Sequence, residues 1–172
     1  MEIPNPSIFE DLEALKRDNT ALELDLYCYF LNGKVFNIKN KKSVKWTGPS
    51  ITQFKNFRSF HDERSGARNS FKKDSKFTKV ENAGWHFNNL LTAEKLYNKL
   101  INQGHHNEFD DSGITLENLK AKIENRLAFY NHKADKKDND KYNFEYKLKK
   151  ISDDQLPKYL VENKEKYQKW FD

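Results

Sequence analysis

Gly84-Trp85-His86-Phe87 brings three kinds of chemistry into four residues. A glycine lets backbone approach a ligand closely, an indole face is a platform for a sugar or a base, and an imidazole binds a metal or a phosphate. The tetrapeptide alone favours a plainer reading, a strand end whose Trp and Phe are core and whose His is hydrogen-bonded. A second cluster is Gly104-His105-His106-Asn107-Glu108-Phe109-Asp110-Asp111. Its imidazoles and carboxylates could supply a metal ligand or a general base. Its spacing fits better a helix C-cap followed by a polar loop, with one His satisfying the last carbonyls. The third group is cationic: Arg58, Arg64 and Arg68 gather in the polar stretch 55–79 with His61, Lys72, Lys73 and Lys76. Such a run holds phosphate or is simply a solvated face. No His-x-x-x-His pair, no Gly-x-x-x-x-Gly-Lys-Ser/Thr loop and no Gly-x-Ser-x-Gly elbow occurs.

The chain that must position these residues has 172 of them, enough for one domain or slightly more. The hydrophobic share is 36%, low for a globular protein, but aromatics reach 14%, so a core is still attainable and wholesale disorder is excluded. The net charge of +5 is carried mostly by Lys, a weak signal for nucleic acid, which is read preferentially by Arg. Cys28 stands alone, which rules out an intrachain disulfide and a cysteine metal cage. No apolar run approaches the ~18 residues of a membrane span. Met1 to Pro6 lacks the basic-then-apolar pattern of a signal peptide, so a cytoplasmic chain is expected.

Ser7-Ile8-Phe9-Glu10 fits a capping box opening a helix to about Arg17, with Phe9, Leu12 and Leu15 buried. Ala21 to Leu31 alternates as a strand, Asn32-Gly33 turns the chain, and Val35, Phe36 and Ile38 resume the pattern. Ser43 to Trp46 and Ile51 to Phe54 are expected as two short strands around Thr47-Gly48-Pro49. Helices are predicted from about Thr92 to Gln103, ended by Gly104, and from Thr115, with Leu116, Leu119, Ile123 and Leu127 on one stripe. Residues 131–143 read as a charged loop, Phe144 to Leu148 as an edge-like strand, and Pro157 opens a last helix. Strands first and helices after make the class α/β to α+β, a mixed sheet flanked by helices.

The order of five landmarks resembles glycosyltransferase family 17, the β-1,4-mannosyl-glycoprotein 4-β-N-acetylglucosaminyltransferase family. They are Glu2-Ile3-Pro4-Asn5-Pro6, Trp46-Thr47-Gly48-Pro49, Asn82-Ala83-Gly84-Trp85-His86-Phe87, His106-Asn107-Glu108-Phe109, and Leu156-Pro157-Lys158-Tyr159-Leu160. The resemblance spans nearly the whole chain, and its third landmark is the most specific.

The resemblance implies a GT-A-like enzyme that transfers N-acetylglucosamine or a related sugar from a nucleotide sugar, UDP-N-acetylglucosamine, to a glycan acceptor with inversion. A divalent metal, Mn²⁺ or Mg²⁺, would act as Lewis acid on the departing phosphate, and a carboxylate would take the acceptor proton. The family's Asp-x-Asp precedes Glu-Ile-Pro, and Met1 stands where its second aspartate belongs. The expectation is therefore a single domain over 1–172, the acceptor-side, C-terminal half. Its nucleotide-binding half would be missing or separately encoded, and the chain alone would be inactive. On this basis Glu108, then Asp110, is the expected base. Asn82, Gly84, Trp85, His86, Trp46 and Arg68 are the expected substrate-binding residues, with Trp85 and His86 facing one cleft. Glu2, His86 and His106 are the expected metal ligands. The Ala21–Leu31 strand is expected to have paired with the missing half, leaving an apolar edge. A non-catalytic glycan- or partner-binding module is the alternative, and neither nucleic acid nor a membrane span is expected.

Overall fold

The computed structural model describes residues 1–10, 16–103, 109, 113–128 and 146–172. Its centre is a mixed sheet of seven strands flanked by helices. The strands are β1 (Glu2–Pro4), β2 (Asn19–Cys28), β3 (Gly33–Asn37), β4 (Lys45–Thr52), β5 (Thr78–Val80), β6 (Gly84–Asn88) and β7 (Tyr146–Lys150). Their order is β1-β6-β2-β3-β7, with β4 and β5 also paired to β2. The α-helices are α1 (Phe60–Arg68), α2 (Ala93–Ile101), α3 (Leu116–Glu124) and α4 (Lys158–Glu162). Among the described residues no helix is long and apolar enough to cross a membrane.

The chain divides into two compact units. Unit 1 is Met1–Leu26 with Val44–His86. Its core gathers Ile8, Leu22, Leu24 and Ala83, with Trp46, Ile51 and Val80 packed on them. β2 is no edge strand. Thr20 pairs with Ile51 of antiparallel β4 and with Thr78 of parallel β5, so both of its flanks are taken. This overturns the expected apolar edge, and the reason lies in burial: β2 is buried at all but two positions, as a central strand must be. Its acidic residues are answered within the unit. Buried Glu23 accepts from Lys79 Nζ at 3.1 Å, and Asp25 pairs with Lys45 at 2.7 Å.

Two local expectations fail in unit 1. Gly48-Pro49 does not break the chain into two strands. A register shift between Ala21 and Glu23 absorbs the pair as a bulge, and β4 runs through it. Ser7 does not cap a helix. The Asn5 side chain accepts the Ser7 N–H at 3.2 Å and the Asn5 carbonyl accepts from Ile8 at 3.0 Å, which winds Pro6–Glu10 into a 3₁₀ turn. That turn buries Ile8 and leaves Phe9 exposed; Leu12 and Leu15 lie outside the described residues.

Unit 2 is Tyr27–Ser43 with Phe87–Asp172. β3 and β7 pair in antiparallel register from Gly33↔Lys150 to Asn37↔Tyr146. Thr115 caps α3, as its sequence predicts, in a reciprocal box with Asn118, and Thr92, the expected start of the preceding helix, caps α2. α2 and α3 pack together, and Tyr27, Phe87, Leu96, Phe109 and Leu119 fill the core. Phe87 is 2% exposed, in line with its predicted inward direction. Burial pushes the Cys28 thiol up to about 12, so it behaves as an inert core side chain.

Candidate functional site

Four segments of unit 1 deliver side chains to one place. β1 carries Glu2, β4 carries Trp46, β6 carries His86, and α1 carries Arg64 and Arg68. Glu2 and His86 are direct partners across the antiparallel β1–β6 ladder. Cross-strand partners point to the same face, so carboxylate and imidazole meet.

Glycines permit the approach. Gly84 has φ +142°, and a Cβ there would lie 2.2 Å from the Ile3 carbonyl oxygen and 2.8 Å from the Asn5 nitrogen. Any side chain would push β1 off β6. A Cβ on Gly48 would stand 2.7 Å from Trp46 Nε1 and 3.2 Å from Glu2 Oε1. The bare backbone at 48 therefore makes room for the indole–carboxylate contact.

α1 is held so that its cationic face looks at Trp46. Ser59 caps it, accepting the Asp62 N–H at 3.1 Å. Ala67 is wholly buried, and Glu63 turns inward to accept from Thr52 Oγ1 of β4 at 2.5 Å. Arg64 and Arg68, one turn apart, share a face. Their guanidinium carbons stand 5.9 and 5.2 Å from the Trp46 ring centroid, within cation–π range.

One oxygen organises the cluster. Glu2 Oε1 accepts from Trp46 Nε1 at 2.6 Å, with Arg64 Nη2 at 3.8 Å and His86 Nδ1 at 3.4 Å. The His86 ring lies 4.7 Å from the Trp46 ring at 35°. The 3.4 Å contact is an ion-pair distance without hydrogen-bond geometry, so among the described residues His86 Nδ1 is buried with no hydrogen-bond partner. Burial drives the His86 pKa down to about 4. The terminal ammonium and Arg64 add to this, and together they outweigh the opposing pull of Glu2. The imidazole is thus neutral at physiological pH. An indole flanked by two guanidinium groups and a neutral imidazole suits a planar or sugar-bearing ligand with an anionic group.

Of the expected site residues, Glu2, Trp46, His86 and Arg68 are brought together. Gly84 acts through its backbone. Asn82 sits at φ 54° in the turn before β6, and its side chain accepts from Lys45 at 3.1 Å. Trp85 cannot share a cleft with His86, because consecutive residues of a strand point to opposite faces, and His86 is the one on the Trp46 side. Glu108, Asp110 and His106 lie outside the described residues. Arg64, one of the cationic group in the stretch 55–79, joins them, and its position four residues before Arg68 on one helix face is the sequence signal for it.

Among the described residues no three His, Cys, Asp or Glu side chains gather where a metal could sit. Glu2 and His86 do not fit a divalent cation by themselves. The carboxylate oxygen is already engaged by Trp46, and a guanidinium stands beside it.

Unit 2 holds a separate cleft of about 350 Å³, walled by Phe30 and Trp170 and rimmed by Glu94, Lys120 and Glu124. Nothing in the sequence pointed to it. No family model matches the chain, and no curated protein or solved structure is significantly similar to it.

Proposed function

We propose that this chain forms the acceptor side of a GT-A-like, inverting glycosyltransferase of the family-17 kind. It would act in the cytoplasm on UDP-N-acetylglucosamine or a related nucleotide sugar and a glycan acceptor. One observation carries the reading. The Glu-Ile-Pro, Trp-Thr-Gly-Pro and Gly-Trp-His-Phe segments are far apart in sequence, yet Glu2, Trp46 and His86 are in contact. Three segments chosen for their likeness to one family thus meet at one point.

In this proposal Arg64 and Arg68 hold the donor's anionic phosphates, and the Trp46 ring stacks on its sugar or base. Glu2 fixes the indole by accepting its N–H, and neutral His86 offers a lone pair to a hydroxyl. Glu108 and Asp110 stay the proposed bases. A divalent metal, when bound, would offset charge on the leaving diphosphate. Its ligands are not Glu2 and His86 alone, and no step above depends on it.

The test is a titration of the isotope-labelled chain with UDP-N-acetylglucosamine, followed by NMR. The expected result is shifts at the Trp46 indole N–H and at the Arg64 and Arg68 side chains. Binding should be weaker than about 1 mM, with no sugar transfer. Arg68→Gln should remove the shifts without altering the fold. Joining an N-terminal half that carries the family's Asp-x-Asp should restore transfer. Shifts only with free glycan and none with nucleotide sugar would replace this reading with a glycan-binding module. No shifts with either would overturn both.

A further inference from the structure

Phe54, Phe57 and Phe60 stand together at one corner of unit 1. Phe54 is 93% exposed, Phe60 86% and Phe57 40%. The Phe57 and Phe60 rings touch edge to face, with centroids 5.2 Å apart. A turn ties Phe57 to Phe54 through an N–H to carbonyl bond of 3.1 Å. Isolated exposed apolar residues are ordinary, but three phenyl rings within seven residues form a patch, and such patches mark interaction sites. The rings project from a short 3₁₀ turn (Phe54–Asn56) and the first residue of α1.

Cations interleave with the rings. Lys55 and Arg58 are exposed between them. Arg64 and Arg68 serve Trp46. Within Phe54–Asp62 the two basic residues face one acid, Asp62. Asp62 is held at the helix cap by Ser59. Asp18 reaches Lys55 only at 3.6 Å, with both side chains well exposed, a contact that competes poorly with a denser anion.

We propose that this corner docks on an anionic lipid bilayer. The phenyl rings enter the boundary between headgroups and acyl chains, and Lys55 and Arg58 meet the phosphates. Reversible membrane binding requires an apolar and an electrostatic signal together, and this corner supplies both. A protein partner is less suited, since the centres of protein interfaces are depleted of charge, whereas here cations alternate with the rings.

Co-sedimentation of the full chain with phosphatidylcholine vesicles, with and without phosphatidylglycerol, tests this. The expected outcome is binding only to the anionic vesicles, weakened by salt. The double substitution Phe54→Ser, Phe60→Ser should lower partitioning roughly tenfold or more. Both positions are exposed, so the circular dichroism of the variant should match the parent. Lys55→Glu with Arg58→Glu is an independent variant and should abolish binding. Equal partitioning of parent and both variants would overturn the proposal. So would Phe54- and Phe60-dependent binding of a single-stranded oligonucleotide with none to vesicles. The nucleotide-sugar titration reads Trp46, Arg64 and Arg68, none of which the vesicle variants replace, so either proposal fails without the other.

Discussion

Glu2 Oε1 lies 3.4 Å from Nδ1 of His86, its partner across the β1–β6 ladder, yet the two do not form a protonated ion pair at neutral pH. A carboxylate at that distance ordinarily raises an imidazole pKa. Here desolvation is the larger effect, and Arg64 and the terminal ammonium act in the same direction. The carboxylate is also committed to the Trp46 N–H at 2.6 Å. The result is a neutral imidazole beside a carboxylate shared with the indole. That combination leaves the two guanidinium groups on Trp46 as the cations available to a ligand.

The orientation of those cations depends on Thr52. Its hydroxyl donates to Glu63 Oε2 at 2.5 Å, fixing α1 against β4. Thr52→Val keeps the shape and removes the donor from a carboxylate that is 9% exposed. The expected loss of stability is about 1–3 kcal/mol. Urea denaturation should show it, together with faster amide exchange in α1, and Thr52→Ser should restore most of it. An unchanged midpoint in Thr52→Val would mean that α1 is held by its apolar contacts alone.

Gly48→Ala acts on the site more directly. The added methyl would lie 2.7 Å from Trp46 Nε1, so the indole must leave Glu2. The cost in stability is about 1–3 kcal/mol, typical of an overpacked position. Freed from the carboxylate, the indole should change its fluorescence maximum and its Nε1–H proton shift. Retention of both signals in the variant would show that the backbone at 48 yields instead.

Local signals carried well into the fold. The helix cap at Thr115 was readable because capping is satisfied by residues three apart in the chain. The β3 and β7 alternation was readable because each is half-buried. Long-range choices were not readable. Gly48-Pro49 resembles a break, and only pairing with β2 turns it into a bulge. Leu22, Leu24 and Leu26 alternating with Glu23 and Asp25 suggest one wet face, but Lys79 and Lys45 cover those acids and make β2 central. The same holds at the site. Motif likeness selected Glu2, Trp46 and His86 singly, while the convergence of Arg64 and Arg68 on one ring needed α1 to dock on β4. Exposure of Phe54 and Phe60 ran against composition logic, which assigns aromatics to the core.

Acid destabilises the fold through His86. The His86 pKa falls from its ordinary 6.5 to about 4 in the fold, because burial disfavours the charged ring. In the unfolded chain the same imidazole takes up its proton near 6.5. Between those values the unfolded state binds more protons, so stability rises with pH and falls as pH drops. The contribution is whole above about 6.5 and lost progressively down to about 4. Its size is on the order of 1–2 kcal/mol, after allowance for water at the ring's outer edge. Urea midpoints measured across this window should decline for the parent chain and decline less for His86→Gln. The His86 ring resonances should stay those of a neutral imidazole well below pH 6. If they titrate near 6.5, the ring is open to water, and the neutral lone pair assigned to it in sugar binding is lost with it.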